Sequence, residues 1–155
     1  RLKENEKGLT LIELLVVIVI LGIIAAIAVI AIGGIIENSK KDAHIANAKQ
    51  IANATKLYMA AEDELEKDGI TLEELIKNGY TDEIKDPSQK EKTYDETKST
   101  VSVKKSESGS EKSESGSGYK YYVKLVGKEN NLVYVDGSKD AMKLKRTDVK
   151  NVKGK

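Results

Sequence analysis

The stretch that decides the fold runs from Leu14 to Ile36 and reads LLVVIVILGIIAAIAVIAIGGII. It contains no charged side chain, no polar side chain and no proline. As an α-helix it is about 34 Å long, which is enough to cross a hydrocarbon core of about 30 Å. Ile and Val dominate, as they do in buried strands, but a buried strand rarely exceeds about ten residues. The stretch therefore predicts a helix that spans a membrane.

The composition around this stretch excludes several classes of protein. The 155 residues include no Cys and a single His, so a disulfide framework, a thiolate zinc site and a multi-His metal site are excluded. Trp and Phe are absent, and such a chain cannot build a thick core. No pair of carboxylates with a fixed spacing, nucleophile elbow, phosphate-binding loop or HExxH motif is present. We interpret the chain as an anchored protein without enzymatic activity or cofactor.

Glu13 lies just before the apolar stretch and is the residue that an ordinary membrane anchor explains least well. A secretory signal peptide fits poorly because its apolar region has only about 7–15 residues. A plain signal anchor fits the length. A carboxylate deep in the membrane costs roughly 2–3 kcal/mol. Glu13 is therefore either a carboxylate near the headgroups paired with Arg1 or Lys7, or one that awaits a cationic partner from another subunit.

Residues 7–18, KGLTLIELLVVI, closely resemble the class III leader junction of type IV pilins and pseudopilins. In that family a prepilin peptidase removes a short basic leader after Gly and methylates the new N-terminal amine. The resemblance implies cleavage between Gly8 and Leu9 and N-methylation of Leu9. It also implies that Glu13 neutralises the N-terminal amine of a neighbouring subunit during filament assembly. An ion pair of this kind is favourable in a low dielectric, where either charge alone is costly.

The sequence departs from the family pattern at two positions. Leu9 stands where the first mature residue is usually Phe, a change that the family tolerates. Ile30 stands where the family often has a proline, so a kink there is not implied, although Gly33 and Gly34 offer a softer hinge. A weaker resemblance extends through residues 72–80 (LEELIKNGY) and 84–87 (IKDP), which look like the loop after the long helix of major pseudopilins.

A second pattern follows the apolar stretch and predicts that the helix continues into water. Apolar residues recur at spacings of three and four on one face of residues 37–67, opposite a charged face: Ile51, Ala54, Tyr58, Ala61 and Leu65. We therefore expect one helix from Leu9 to Lys67, ended by Asp68-Gly69. Thr71 and Glu74 then form a capping box for a short helix that reaches Lys77.

The remaining sequence predicts a small antiparallel sheet, so the fold class is α+β. Val101 and Val103 indicate a possible short strand, residues 119–126 and 132–135 two further strands, and residues 142–144 a last one. Turns are expected at Asn130-Asn131 and, as a hairpin, at Asp136-Gly137. Residues 106–118 contain SESGS twice and are typical of a flexible loop. The predicted segments are 1–8 (leader), 9–36 (membrane-spanning and filament-core helix), 37–67 (amphipathic helix), 68–105 (helix–loop connection), 106–118 (loop) and 119–155 (β-meander and tail).

Charge is unevenly distributed along the polar part of the chain. Residues 37–98 contain 10 Lys and 15 acidic residues, whereas residues 119–155 contain 9 Lys and one Arg against 4 acidic residues. This asymmetry favours docking between neighbouring subunits, with DNA or an anionic cell wall as the alternative partners. Tyrosines interleave with lysines in residues 119–124, which suits stacking on a single strand, but such tyrosines are more often core residues. His44 is expected to be an exposed helical residue.

Taken together, these patterns predict a prepilin-like structural subunit that polymerises through its apolar helix. Its implied partners are further copies of itself, the prepilin peptidase, the assembly platform with its ATPase, and the cytoplasmic membrane, with DNA as an open possibility. It would be a single-pass membrane precursor and then a surface filament. In lacking Cys, the chain resembles subunits of Gram-positive competence pili or type IV pili. This resemblance implies a role in DNA uptake, adhesion or motility. A secretion pseudopilin and an ordinary anchored surface domain are the alternatives.

Overall fold

A computed structural model describes residues 2–62, 69–106 and 118–153, with the backbone alone for residues 2–7. Its first element is a 61-residue helix, α1 (Leu2–Glu62). The remaining elements are β1 (Ile70–Thr71), α2 (Leu72–Lys77), β2 (Thr100–Lys105), β3 (Tyr119–Val126), β4 (Val133–Asp140) and two short 3-10 helices (Ala141–Lys143 and Arg146–Asp148). The α+β class is confirmed. The predicted end of the long helix at Lys67 lies outside the described residues.

Two compact units divide the chain, Arg1–Glu37 and Asn38–Lys155. The described residues of the first unit all belong to α1. In the second, small and apolar residues of α1 belong to the same core as residues of the sheet, including Ala48, Ile51, Val123 and Leu125. The helix thus supplies one wall of a conventional core in the second unit, because its apolar residues recur on one face there.

The sheet of the second unit has four antiparallel strands in the order β1-β2-β3-β4. The expected strands at Val101–Val103 and at residues 119–126 are confirmed as parts of β2 and β3. Strand β1 has only two residues and was not predicted. Ser106 N–H donates to the Gly118 carbonyl at 2.7 Å, next to the paired residues Lys105 and Tyr119. The predicted loop joins these two ends, and its residues 107–117 lie outside the part of the chain that the structure describes.

The expected hairpin at Asp136-Gly137 is wrong, because both residues lie inside β4. Tyr122 of β3 opposes Asp140, whereas Lys124 opposes Asp136, so β4 has extra residues in this part of the ladder. Gly137 has a φ of +74°, which accommodates the irregularity as a bulge instead of a turn. The chain turns earlier, after β3, at the predicted position near Asn130-Asn131.

The predicted strand over residues 142–144 is also wrong. The first 3-10 helix occupies Ala141–Lys143, and the Asp140 carboxylate caps it by accepting a hydrogen bond from the Met142 N–H at 3.2 Å. A side-chain cap of this kind favours a helical turn over extended pairing. The capping box of α2 is confirmed: Thr71 Oγ1 accepts from Glu74 N–H at 3.2 Å, and Glu74 Oε2 accepts from Thr71 N–H at 3.0 Å.

Candidate processing and assembly segment

The first unit presents an apolar helix surface with no cover in the described structure. Nineteen large apolar side chains between Leu9 and Ile36 are 47–82% exposed, and they lie on all sides of the helix. A helix that is apolar all round is stable only when something apolar surrounds it. By length and composition α1 is able to cross a membrane, and among the described helices it alone meets that criterion. This surface requires lipid or other protein chains as its environment.

Gly8 and Leu9, the predicted cleavage pair, both lie within α1. A Cβ atom added at Gly8 meets no atom within 4 Å, so neither packing nor backbone geometry requires glycine there. Glycine in the middle of a helix costs roughly 0.5–1 kcal/mol relative to alanine. Gly22, Gly33 and Gly34 share this property, so the fold alone does not distinguish Gly8 from the other glycines of α1.

Glu13 is exposed on α1, four residues after Leu9. Residues four apart lie on the same face of a helix, separated by about 6 Å along its axis. The neighbours of Glu13 on that helix are apolar and exposed, from Leu11 and Ile12 to Leu14 and Leu15. When this surface leaves water, the carboxylate leaves water with it and needs a cation. The structure thus brings Leu9 and Glu13 onto one face, and the role of each stays a prediction.

The second unit contains a buried polar cluster that the sequence did not predict. His44 is fully buried, so the expectation of an exposed residue is wrong. Its Nδ1 lies 2.7 Å from the Tyr94 hydroxyl and its Nε2 lies 2.8 Å from Ser88 Oγ. Its ring stacks on that of Tyr134, with the centroids 4.2 Å apart. The carboxylate of Asp86 is 3.9 Å from Nε2.

One assignment of protons satisfies the chain of hydrogen bonds through this cluster. Asn47 Nδ2 donates to the Tyr94 hydroxyl at 3.1 Å, which leaves the hydroxyl proton for His44 Nδ1. Neutral His44 then carries its own proton on Nε2 and donates it to Ser88. A second proton on His44 would require the Tyr94 hydroxyl to turn its own proton away from Nδ1 and leave that hydrogen bond as donor. The geometry therefore favours the neutral imidazole.

The pKa values of the cluster agree with this assignment. Burial, with a smaller contribution from Lys40, lowers the pKa of His44 to about 4. Burial raises the pKa of Asp86, whose Oδ2 has no hydrogen-bond partner among the described residues. Burial also raises the pKa of Tyr134 to about 12 and that of Tyr94 further still. All of these shifts favour uncharged groups, so the cluster is a neutral structural element that fixes the loop of Asp86 and Tyr94 against α1.

A sequence signal for His44 existed. Residues 44, 48, 51, 55 and 58 continue the three-and-four spacing of the apolar face of α1 toward the N-terminus, and all except the half-buried Tyr58 are buried. Within the described ranges, no group of three or more His, Cys, Asp or Glu side chains is placed to hold a metal ion.

One comparison with known proteins found a match, and most of the match lies on the apolar part of α1. Residues 3–29 match the family described as the prokaryotic N-terminal methylation motif. The chain matches no curated protein and no solved structure. The match supports a class III leader of the type IV pilin and pseudopilin kind, and with it a pilin-like prepilin subunit. Such a subunit is a structural protein rather than an enzyme, and its apolar helix fits a membrane-anchored precursor.

Proposed function

We propose that this chain is the subunit of a type IV pilus or pseudopilus filament, cut between Gly8 and Leu9 and methylated on the Leu9 amine. The observation that carries the proposal is the methylation motif at residues 3–29, because most of it lies in residues 9–36 of α1, where all the large apolar side chains are exposed. After processing, this surface would leave the lipid and pack against the same surface of other copies. Burial of apolar side chains between helices would then hold the filament together.

Processing is tested by intact mass and N-terminal sequencing of the protein from its native membrane. We expect a mature chain that begins with N-methyl-Leu9. An unprocessed chain in cells with active prepilin peptidase would reduce the protein to an ordinary anchored domain.

Two glycines offer a matched pair of variants for the same test. Gly8→Ala is expected to abolish processing, whereas Gly22→Ala is expected to leave it intact. Both glycines lie in α1 with no atom within 4 Å of an added Cβ, so neither variant disturbs the fold. Equal processing of the two variants would contradict cleavage after Gly8.

For Glu13 we propose the role of counter-ion to the N-terminal amine of a neighbouring subunit. Glu13→Gln keeps the size of the side chain and removes its charge. We expect normal membrane insertion and normal processing but no filaments, because the neighbouring amine would be desolvated without a partner. Normal filaments formed by this variant would refute the role of Glu13.

We further propose that the filament acts at the cell surface, in DNA uptake or in adhesion and twitching motility. The support is the basic character of the sheet-bearing part of the chain, residues 119–155, which suits contact with anionic polymers. A strain without the gene distinguishes the two roles: loss of transformation with normal attachment and twitching indicates DNA uptake, and the reverse indicates adhesion or motility. Retention of all three activities would leave a secretion pseudopilus as the better description.

A further inference from the structure

Three lysines lie together on the outer face of the sheet in the second unit. Lys120 and Lys124 alternate along β3 with inward-facing Tyr121 and Val123, which are buried. Lys104 of β2 is the direct cross-strand partner of Lys120, so it lies on the same face. We call these three residues, with Tyr122 between them, the lysine face.

The lysine face has no acidic partner within the part of the chain that the structure describes. Among the described residues, no carboxylate oxygen comes within 4.0 Å of the ammonium group of Lys104, Lys120 or Lys124. Asp136 is the cross-strand partner of Lys124, yet its carboxylate binds Ser138 at 2.6 Å and Lys150 at 3.5 Å instead. The surrounding lobe, residues 100–106 and 118–153, carries ten Lys and one Arg against four acidic residues.

The arrangement of Lys104 and Lys120 is unfavourable for the fold alone. Like charges directly opposite each other on neighbouring strands destabilise a sheet. The Lys104 ammonium is nevertheless held on this face, 5.3 Å from the centroid of the Tyr122 ring, by a cation–π contact. Two adjacent cations that repel each other, one of them held against the Tyr122 ring, form a site that favours an anion.

The spacing extends this site to a line of anions. Lys120 and Lys124 are four residues apart on one strand, which corresponds to about 13 Å. One strand of duplex DNA rises about 3.4 Å per phosphate, so about four nucleotides fit between the two ends of the lysine face. Tyr122 is half-buried and occupied by Lys104, and Tyr121 is buried, so the face offers charges instead of a free ring for base stacking.

From these observations we infer that the lysine face binds the phosphodiester backbone of duplex DNA without reading its sequence. The lysine face would be the DNA-binding surface for the DNA-uptake role that is proposed above. The inference rests on that proposed function only for the biological use of the binding. The binding itself is a property of the second unit. Failure of DNA binding and failure of processing are therefore separate results, the first read from affinity and the second from the N-terminal mass.

The test uses the full chain in non-ionic detergent and the fluorescence anisotropy of a short labelled duplex. Three phosphate contacts predict a slope of about −2.7 for the logarithm of the association constant against the logarithm of salt concentration, a loss of about 40-fold between 50 and 200 mM salt. The triple variant K104A/K120A/K124A is expected to lose at least about tenfold in affinity at low salt and most of this slope.

The matched control is K77A/K85A/K90A, which removes the same charge from three exposed lysines outside the lysine face. It is expected to bind like the parent chain, and equal melting temperatures of the two triple variants exclude unfolding. Absence of binding by the parent, or equal losses in the two triple variants, would overturn the inference. So would tighter binding of single strands that depends on Tyr122, or equally tight binding of a polysulfate or of anionic vesicles.

Discussion

Two regions of one helix, residues 9–36 and residues 44–55 of α1, differ in what surrounds them. In the first region all the large apolar side chains are exposed and show no preferred face. In the second, His44, Ala48, Ile51 and Thr55 are buried at spacings of four, three and four, and polar residues occupy the other face. The backbone is the same in both, so the difference lies in the side-chain pattern alone.

This difference shows that the spacing of apolar side chains along a helix indicates which of its sides is covered by other residues. The face of residues 44–55 is fixed by its own chain, and a stripe of apolar side chains is enough for one partner. Residues 9–36 have apolar side chains on every side, which suits an environment that surrounds the helix, such as lipid or other protein chains. The side chains of residues 9–36 thus suit contacts with other molecules, whereas those of residues 44–55 make contacts within the chain.

The largest difference between the two regions is expected when one charge is placed in each of them. Ile51→Asp buries a carboxylate without a partner, since Ile51 is 1% exposed, and is expected to cost more than about 4 kcal/mol in the free energy of unfolding. Ile24→Asp should leave the melting temperature of the second unit unchanged and impair membrane insertion by about 2.5–3.5 kcal/mol. Thermal denaturation and membrane fractionation of the full chain measure the two effects. Similar loss of stability in both variants would contradict the division.

Acidification is expected to destabilise the buried region of the helix, because His44 belongs to it. Its pKa is about 4 in the folded chain against about 6.5 when unfolded, so the unfolded state binds more protons between these values. Stability should therefore be complete above about pH 6.5 and fall as the pH drops toward 4, by up to about 3 kcal/mol.

Asp86 acts in the opposite direction, because its raised pKa favours the protonated form in the folded state and costs stability as the pH rises above 3.8. Other groups near His44 are Tyr94, Tyr134 and Lys40. Melting temperatures at pH 7 and pH 5 measure the effect, and His44→Gln is expected to flatten the difference. An unchanged difference in that variant would assign the acid sensitivity to other groups.

A smaller effect is expected from a single hydroxyl group in the same region. Tyr94→Phe removes the group that links His44 to Asn47 and leaves buried polar atoms unpaired, at a cost of about 1–3 kcal/mol. Tyr122→Phe is the control, because the Tyr122 hydroxyl makes no hydrogen bond to any residue that the structure describes. Its loss should change stability by less than about 0.5 kcal/mol. Chemical denaturation of both variants provides the comparison, and equal midpoints would show that the hydrogen bonds of the Tyr94 hydroxyl contribute nothing to stability.

The smallest effect is expected where the buried region begins. Arg146 donates two hydrogen bonds to Asp42 of α1, from Nε at 2.7 Å and from a terminal nitrogen at 2.6 Å, and lowers the pKa of that carboxyl. Both side chains are about half exposed, so water and salt screen the pair. Arg146→Ala should lower the melting temperature slightly at low salt and not measurably at high salt. A large loss at high salt would show that the contact contributes more than charge.

The features predicted correctly from the sequence are those that depend on neighbouring residues. The capping box of α2 needs only Thr71 and Glu74, and β3 needs only its own alternation. The assignments of Gly8, Leu9 and Glu13 also came from one contiguous motif and stay predictions, to which the structure adds the exposure of Leu9 and Glu13. Local rules work where the cause is local.

The features that the sequence did not reveal depend on distant partners. His44 is buried because Tyr94 and Ser88, about fifty residues away, supply its hydrogen bonds. Gly137 forms a bulge instead of a turn because β3 continues beside it. The two-residue β1 exists only because it pairs with Val101 and Thr100. A polar residue type or a turn dipeptide carries no information about such partners, and tertiary context decides between the alternatives.

The hydrogen bond between Ser106 and Gly118 closes the ladder of β2 and β3 at the last residues before 107–117. The pairing of the two strands is complete up to that point, so the hydrogen bonds of the described ladder need no further residue. A flexible insert that doubles the length of a connection costs only about 0.6 kcal/mol. This position is therefore the natural place to insert an epitope or a fluorophore-binding peptide, and a tag placed here would report on the protein in living cells while the strands on either side keep their register.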